Sequence, residues 1–173
     1  MRLYPRCVVV LMFLLVPATA RASDHVASIF GGYSALFASR ENGFNLGLEV
    51  SWPTTNAIHD HLGILVDGGS HGETDAHGNK VTKKALLFGL RAIYKIPQAP
   101  RLVLFAHGLI GRHWSKTGTF VDDGWAGGTG GGLDVLLFDT SRAGWAGRAQ
   151  LDFVRIAGDT SPRLSTGVVF RFK

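Results

Sequence analysis

Eight segments of the chain alternate apolar with small or polar residues at the two-residue period of a β-strand. The clearest of them is 164–172. There, Val168 and Phe170 occupy even-numbered positions, whereas Arg171 occupies an odd-numbered one, and we call this the parity of a residue. Successive strand side chains point to opposite faces, so this segment has one apolar face and one small or charged face. The eight segments are 26–38, 43–52, 61–70, 81–96, 102–115, 125–138, 145–156 and 164–172.

The apolar faces of these strands are predicted to point outward, toward lipid. In 43–52, for example, Phe44 and Leu48 lie on the face opposite Glu49, and glycine recurs on the charged face. A barrel in a membrane carries its apolar side chains outside and its polar side chains inside. A soluble barrel of the lipocalin type, whose apolar side chains point inward, is the structural alternative.

One predicted strand has a weaker pattern than the others. In 102–115, Phe105 and Leu109 share a face with His107 and His113. Parity alone therefore leaves open whether this strand is regular.

The connections fit a closed, antiparallel, up-and-down transmembrane barrel of eight strands. Residues 97–101 and 140–144 have the composition of short turns. Residues 70–80, 116–124 and 158–162 are polar and are predicted as loops on the opposite rim. With an even number of strands, both termini and the short turns lie on the periplasmic side. Closure leaves no free strand edge, which predicts a monomer.

Aromatic residues provide an independent test of this arrangement, because outward-facing rings fall near the ends of the predicted strands. Those on the periplasmic rim are Trp52, Tyr94, Trp145 and Phe172, and those on the opposite rim are Trp114 and Trp125. Two such belts at the membrane–water boundaries are typical of membrane barrels.

The N-terminus is predicted to be a secretory signal peptide over residues 1–22. Two arginines precede an apolar run at 8–16, which small residues follow. The run is about half of the roughly 20 residues that a membrane-spanning helix needs. Cleavage is expected after Ala22, with Ala20 as the alternative, which leaves 23–173 as one outer-membrane barrel domain.

Composition narrows the function further. Removal of the signal peptide reduces the 18 basic residues to 15, against 13 acidic ones, and the remaining charges are scattered. No nucleic-acid partner is therefore expected. The single cysteine, Cys7, lies in the signal peptide, so disulfides have no role in the predicted mature chain.

Four short stretches carry a family resemblance. Residues 30–34 read Phe-Gly-Gly-Tyr-Ser, 130–134 read Gly-Gly-Gly-Leu-Asp, and 150–152 read Gln-Leu-Asp. Together with 164–172, they resemble the outer-membrane β-barrel domain proteins of the OmpA/OmpX-like superfamily. The resemblance implies a bacterial outer-membrane location, with outer-membrane lipid and lipopolysaccharide as surroundings. It also implies a C-terminal aromatic residue that the insertion machinery recognises, although one lysine follows it here.

The same resemblance implies a non-enzymatic role in envelope integrity, or in surface interaction through extracellular loops. It implies no cofactor, no metal and no catalytic residue. Two alternatives remain open, a narrow porin-like channel and a hydrolase like the outer-membrane lipid A deacylases. His113 and Ser115 have the histidine–serine spacing of those deacylases, but parity points His113 away from lipid. Only Asp122 or Asp123 offers a nearby acid to orient the base.

Eight charged or ionisable residues are predicted to line the lumen. They are Glu49, Asp67, Arg91, His107, Asp134, Arg148, Asp152 and Arg171. The arginines, Glu49 and Asp134 are expected in the periplasmic half, with the other two aspartates higher. An eight-stranded lumen is just wide enough to be filled by side chains, and buried charges need partners. We therefore expect an ion-pair plug, with a gated ion path as the alternative.

One stretch is rich in possible metal ligands. His71, Glu73, Asp75 and His77 occur at two-residue spacing, which places neighbours roughly 6.6 Å apart on an extended chain. That distance is too long for all four to converge without a bend. A solvated loop is expected here, with a weak surface metal site as the alternative.

Overall fold

The chain folds into a closed β-barrel in a computed structural model that describes residues 25–38, 41–54, 60–74, 78, 80–156 and 158–173. The predicted signal peptide lies outside these ranges. The strands are β1 (Val26–Leu36), β2 (Glu41–Pro53), β3 (His61–Thr74), β4 (Lys80–Lys95), β5 (Leu102–Thr117), β6 (Phe120–Asp139), β7 (Ala143–Ile156) and β8 (Asp159–Phe172). Each strand pairs antiparallel with the next, and β8 pairs with β1. The predicted fold class, an antiparallel up-and-down barrel of eight strands, is confirmed. Among the described residues, no helix has the length and apolar character needed to cross a bilayer.

The barrel has two rims, which differ in how their strands are joined. The terminal rim holds the start of β1, the end of β8 and the turns after β4 and β6. The far rim holds the connections after β1, β3, β5 and β7. The turns predicted at 97–101 and 140–144 fall on the terminal rim, although β7 already begins at Ala143.

The far-rim loops were predicted too long. Ladder pairing continues through Ser70–Thr74 in β3, and β5 and β6 are joined by two residues only. Most of 158–162 also belongs to β8. The predicted strands ended where the sequence becomes polar. Backbone hydrogen bonds between strands nevertheless continue beyond the apolar band wherever a tight turn can close the hairpin. Gly118 (φ 59°) and Gly158 (φ 87°) supply that turn, because glycine adopts positive φ without steric cost.

Most large apolar side chains among the described residues lie outside, as predicted. Phe88 is 41 % exposed, Leu151 47 % and Phe170 41 %, whereas Glu49 is buried. The lipocalin-type alternative, in which these side chains point inward, is therefore wrong.

Strand β5 is regular despite its mixed pattern. It pairs with β4 and β6 without a register shift. Phe105, His107, Leu109 and His113 all lie inside, and Ile110 lies outside. The irregularity falls instead between Leu136 and Phe138 of β6, where the register with β7 shifts.

The interior is less polar than predicted, because a set of buried apolar side chains, which we call the apolar layer, helps to fill the half of the lumen nearer the far rim. Its side chains are Leu36, Ala85, Leu87, Ala126, Val154 and Ile156. An eight-stranded lumen must be filled by side chains of some kind, and apolar ones need no partners. The lumen therefore combines charged clusters with an apolar layer.

Candidate functional site

The first charged cluster lies toward the terminal rim and consists of Glu49, Arg91, Asp134, Arg148 and Arg171, which we call the terminal cluster. Arg148 donates Nε and Nη2 to the two carboxylate oxygens of Asp134 at 2.7 and 2.8 Å. Arg171 Nη2 donates to Asp134 Oδ2 at 2.6 Å. Arg91 donates through Nη1 to Glu49, and Arg148 Nη2 lies 3.7 Å from the same carboxylate. The five predicted residues thus form one connected network.

Two inward-facing aromatic rings complete the terminal cluster. The Cζ atoms of Arg91 and Arg148 lie 4.2 and 4.7 Å, respectively, from the ring centroid of Phe105. Phe30 has Arg148 Cζ at 4.8 Å. A guanidinium stacked on an aromatic face gains electrostatic attraction from the ring quadrupole. This contact gives a reason for the inward Phe105 that parity could not explain.

The second cluster lies deeper along the barrel axis and joins Asp67, His107, Asp152 and Arg163, which we call the central cluster. Arg163 donates Nε and Nη2 to Asp152 Oδ2 at 2.9 and 2.7 Å, and its Nη2 also donates to Asp67. His107 Nε2 lies 2.9 Å from Asp152 Oδ1. Gln150 Nε2 donates to Asp152 Oδ2 at 2.7 Å. One arginine therefore bridges two buried carboxylates.

Arg163, the bridging residue of the central cluster, is not among the lumen residues that the sequence predicts. It lies next to a segment that was predicted to be a loop, so it was not placed on a strand. Its parity is nevertheless that of Arg171, which was assigned to the lumen. Extending the alternation of β8 by one residue would have found it.

A third set of polar contacts lies nearest the far rim. Lys83 forms an ion pair with Glu41, which is fully buried. His71 Nε2 lies 2.9 Å from Ser34 Oγ, and Ser165 Oγ donates to Ser34 Oγ at 3.1 Å. Glu41 was missed because the second predicted strand began two residues too late. Lys83 has the inward parity of Arg91, so its position was readable from the sequence.

The stretch rich in possible metal ligands belongs partly to β3, which corrects the loop prediction. The side chain of His71 is buried in the lumen and contacts Ser34. Asp75 and His77 lie outside the described residues. Within the part of the chain that the structure describes, no three His, Cys, Asp or Glu side chains are placed to hold a metal ion.

His113 and Ser115, the candidate histidine–serine pair, lie on the inner side of β5. His113 is buried, and Ser115 is directly opposite Asp122 in the β5–β6 register. Trp114, which lies between His113 and Ser115 in sequence, is exposed on the outer face of β5. Asp123 lies on that outer face and pairs with Arg112.

The predicted aromatic belts are placed as follows. On the terminal rim, Tyr94, Trp145 and Phe172 are exposed and Trp52 is partly buried. Trp145 contacts Phe170 with ring centroids 4.4 Å apart. Trp114 and Trp125 are exposed, but they lie three residues before the end of β5 and five after the start of β6. The belt on this side therefore sits below the hairpin tip.

A cavity of about 160 Å³ extends from the terminal rim to the terminal cluster. Its lining includes the five charged residues of that cluster, together with Lys95, Lys173 and Phe105. Among the described residues, Arg91 Nε, Arg91 Nη2 and Arg148 Nη1 are buried and have no hydrogen-bond partner.

A closed eight-stranded barrel with apolar side chains outside and ion pairs inside belongs to the class of transmembrane β-barrels. No protein-family profile matches the sequence, and no curated protein matches it. Solved structures do match. Neisserial surface protein A is 11 % identical with a TM-score of 0.54, and the match covers 86 % of this chain and 96 % of that protein.

Two further matches have the same architecture. Ail of Yersinia pestis, in complex with the heparin analogue sucrose octasulfate, is 13 % identical with a TM-score of 0.54, over 86 % of this chain and 99 % of Ail. The N-terminal β-barrel domain of Pseudomonas aeruginosa OprF is 15 % identical with a TM-score of 0.53, over 87 % and 98 %. The chain therefore has the fold of the eight-stranded outer-membrane β-barrels.

Proposed function

We propose that this chain is an integral protein of the bacterial outer membrane, exported by the predicted signal peptide, with a non-enzymatic role in envelope integrity or surface interaction. The observation that carries this proposal is the distribution of side chains. Phe44, Ile64, Phe88 and Phe170 are exposed on different strands of the barrel, whereas the charged clusters are inside. Soluble monomeric proteins rarely expose so large a continuous apolar surface to water.

The lumen is filled by side chains, which supports a structural role over a porin-like channel. The terminal and central clusters cross-link facing strands through ion pairs such as Arg163 with Asp67. Beyond them, the apolar layer and the ion pair of Lys83 with Glu41 fill the half of the lumen nearer the far rim. We therefore expect little ion conductance.

Cell fractionation tests the location, and heat-modifiable gel migration of the outer-membrane fraction tests the barrel. Recovery in the soluble periplasm would contradict the proposal. Single-channel recording in planar bilayers then tests the filled lumen. Frequent, well-resolved openings would establish the channel alternative instead.

We further propose that one patch on the outer face contacts lipopolysaccharide phosphates. The patch consists of Lys84, Arg112, Trp114, Lys116 and Trp125. Lys84 pairs with Trp114 across β4 and β5, and Arg112 pairs with Trp125 across β5 and β6. The guanidinium of Arg112 lies 5.6 Å from the Trp125 ring centroid.

Charge supports an anionic partner for this patch. Its three cations face one nearby carboxylate, that of Asp123, which pairs with Arg112. All three cations are exposed on the outer face near the predicted aromatic belt. The complex of Ail with a sulfated heparin analogue is consistent with a polyanionic ligand on a barrel of this fold.

The patch is tested by quantifying the lipopolysaccharide that copurifies with the protein in a mild detergent. Each of Lys84→Gln, Arg112→Gln and Lys116→Gln should weaken binding about fivefold, since one cation near an anionic surface contributes about 1 kcal/mol. Arg142→Gln, at an exposed cation on the terminal rim, is the matched control. Equal loss in that control would remove the patch from the proposal.

Strand β8 is the proposed recognition segment for the insertion machinery. Its last residue, Phe172, is exposed on the outer face. Lys173 is held by Asp139 at 2.5 Å and by the carbonyl of Thr140 at 3.1 Å, so it lies against the neighbouring turn. Deletion of Lys173 should preserve or increase insertion, measured as the folded fraction in outer membranes. A Phe172→Ala variant should decrease it.

A further inference from the structure

We propose that the cavity at the terminal rim is a binding site for a small monoanionic carboxylate, held at its inner end by Arg91 and Arg148. This site is separate from the outer-face patch and does not depend on it. Three observations support the site: an unused pair of buried donors, a local excess of positive charge, and a cavity whose lining includes both arginines.

The unused donors form a matched pair on Arg91. Its Nη1 donates to Glu49, but Nε and Nη2 have no hydrogen-bond partner among the described residues, and the side chain is fully buried. Nε and Nη2 are the edge that Arg148 presents to Asp134 in a bidentate contact. Arg91 therefore carries the same two-donor fork, which has the geometry to bind a carboxylate and no hydrogen-bond partner among the described residues. Stacking on Phe105 occupies only the face of the guanidinium.

The charge around the cavity favours a single negative charge. The terminal cluster has three guanidinium groups and two carboxylates, which leaves one positive charge in excess. At the mouth, Lys173 is paired with Asp139, whereas Lys95 is exposed. The central cluster has the opposite balance, with Asp67 and Asp152 against Arg163, but its side chains do not line this cavity. A buried excess charge is costly unless it is paired, so a monoanion matches the inner end better than a phosphate dianion.

The size and opening of the cavity suit such a ligand. Its volume of about 160 Å³ far exceeds the roughly 10–15 Å³ that one water needs. Val26, Pro100 and Lys173 line its outer part, so it opens at the terminal rim. In the proposed membrane orientation this rim faces the periplasm. The carboxylate would arrive from that side, either as a free small acid or as the C-terminal carboxylate of a short peptide.

The test uses the protein purified from outer membranes in a neutral detergent and labelled with ¹⁵N. Sodium acetate is titrated against sodium chloride at equal ionic strength, and the arginine Nε–H resonances are followed by NMR. N-acetylalanine and N-acetylalanine amide distinguish a chain-terminal carboxylate from its uncharged counterpart. We expect saturable shifts with acetate and N-acetylalanine, and none with the amide or with chloride.

Variants locate the binding site. Arg91→Lys keeps the charge facing Glu49 but removes the fork, so Kd should rise at least about tenfold. Arg163→Lys makes the same change in the central cluster and should leave Kd within about twofold. If Arg91→Lys does not fold, as judged by heat-modifiable migration, Lys95→Gln at the exposed mouth is the second variant. It should weaken binding about fivefold.

Three results would overturn the proposal. One is the absence of any saturable shift with acetate in the parent protein. Another is an Arg91→Lys or Lys95→Gln variant that binds as tightly as the parent. The third is tighter binding of inorganic phosphate than of acetate, which would contradict the assignment to a carboxylate.

Discussion

Replacing Arg163 with methionine should strongly destabilise the barrel. Arg163 donates to Asp152 twice and to Asp67 once, and all three side chains are buried. Methionine preserves much of the volume and removes the charge. Asp152 keeps its contacts with His107 and Gln150, whereas Asp67 loses the only hydrogen-bond partner found for it among the described residues. Removing one member of a buried pair costs roughly 3–5 kcal/mol, and we expect a loss in this range.

The free energy of unfolding is to be measured by urea titration in phospholipid vesicles, with heat-modifiable gel migration reporting the folded fraction. Arg155→Met, an exposed arginine on β7, is the control and should change it by no more than about 0.5 kcal/mol. Adding Asp67→Asn to Arg163→Met should recover part of the loss, because the unpaired buried charge is then gone. A loss below about 1 kcal/mol for Arg163→Met, or no recovery in the double variant, would refute the reasoning.

Three further predictions follow from the interior. Arg148→Ala should lower the free energy of unfolding by roughly 3–5 kcal/mol while single-channel conductance stays low, because the central cluster and apolar layer remain; full stability would contradict the ion-pair plug. Gly89→Ala should destabilise by roughly 1–3 kcal/mol, since its Cβ would overlap the backbone of Gly108. Gly108→Ala has nothing within 4 Å of its Cβ and should be tolerated in the same urea titration, so equal losses would contradict the packing. Ser115→Ala should leave the acyl chains of lipid A unchanged by mass spectrometry, because Ser115 is on the inner side of the barrel; a change would revive the hydrolase alternative.

The direction of the side chains was predictable because a strand has an exact two-residue alternation. Val168 and Phe170 on one side and Arg171 on the other were enough to orient β8. The same rule placed Asp134 and Arg148 on one face, and the register then pairs them directly across β6 and β7. Alternation is a local property, so it can be read without knowing the neighbouring strands.

The ends of the strands were less predictable, because their length depends on the partner strand. Residues 116–124 are polar, yet most of them remain paired in the β5–β6 hairpin. Residues 158–162 are likewise polar and were predicted as a loop. The last predicted strand therefore began at 164, which left Arg163 outside it. Side-chain polarity reports contact with lipid, whereas strand length is decided by backbone hydrogen bonds.

The ion-pair partners could be predicted as a set but not individually. Parity brings Glu49, Arg91, Asp134 and Arg148 to the lumen, but which carboxylate each arginine contacts depends on strand tilt and register. The roles of Phe30 and Phe105 were also hidden, because an inward phenylalanine looks like a violation of the pattern. Only the stacked guanidinium groups show why it is tolerated.

The long β5–β6 hairpin has a consequence for the cell surface. Strand β6 has 20 residues, which corresponds to roughly 66 Å of extended chain. At a tilt of about 40° this spans roughly 50 Å, about twice the height of the apolar band. In an outer membrane, the tip at Gly118 would stand well clear of the lipid headgroups and carry the exposed Phe120 and Val121 with it. In the proposed orientation, a foreign epitope inserted at this tip would be displayed to antibodies and bacteriophages.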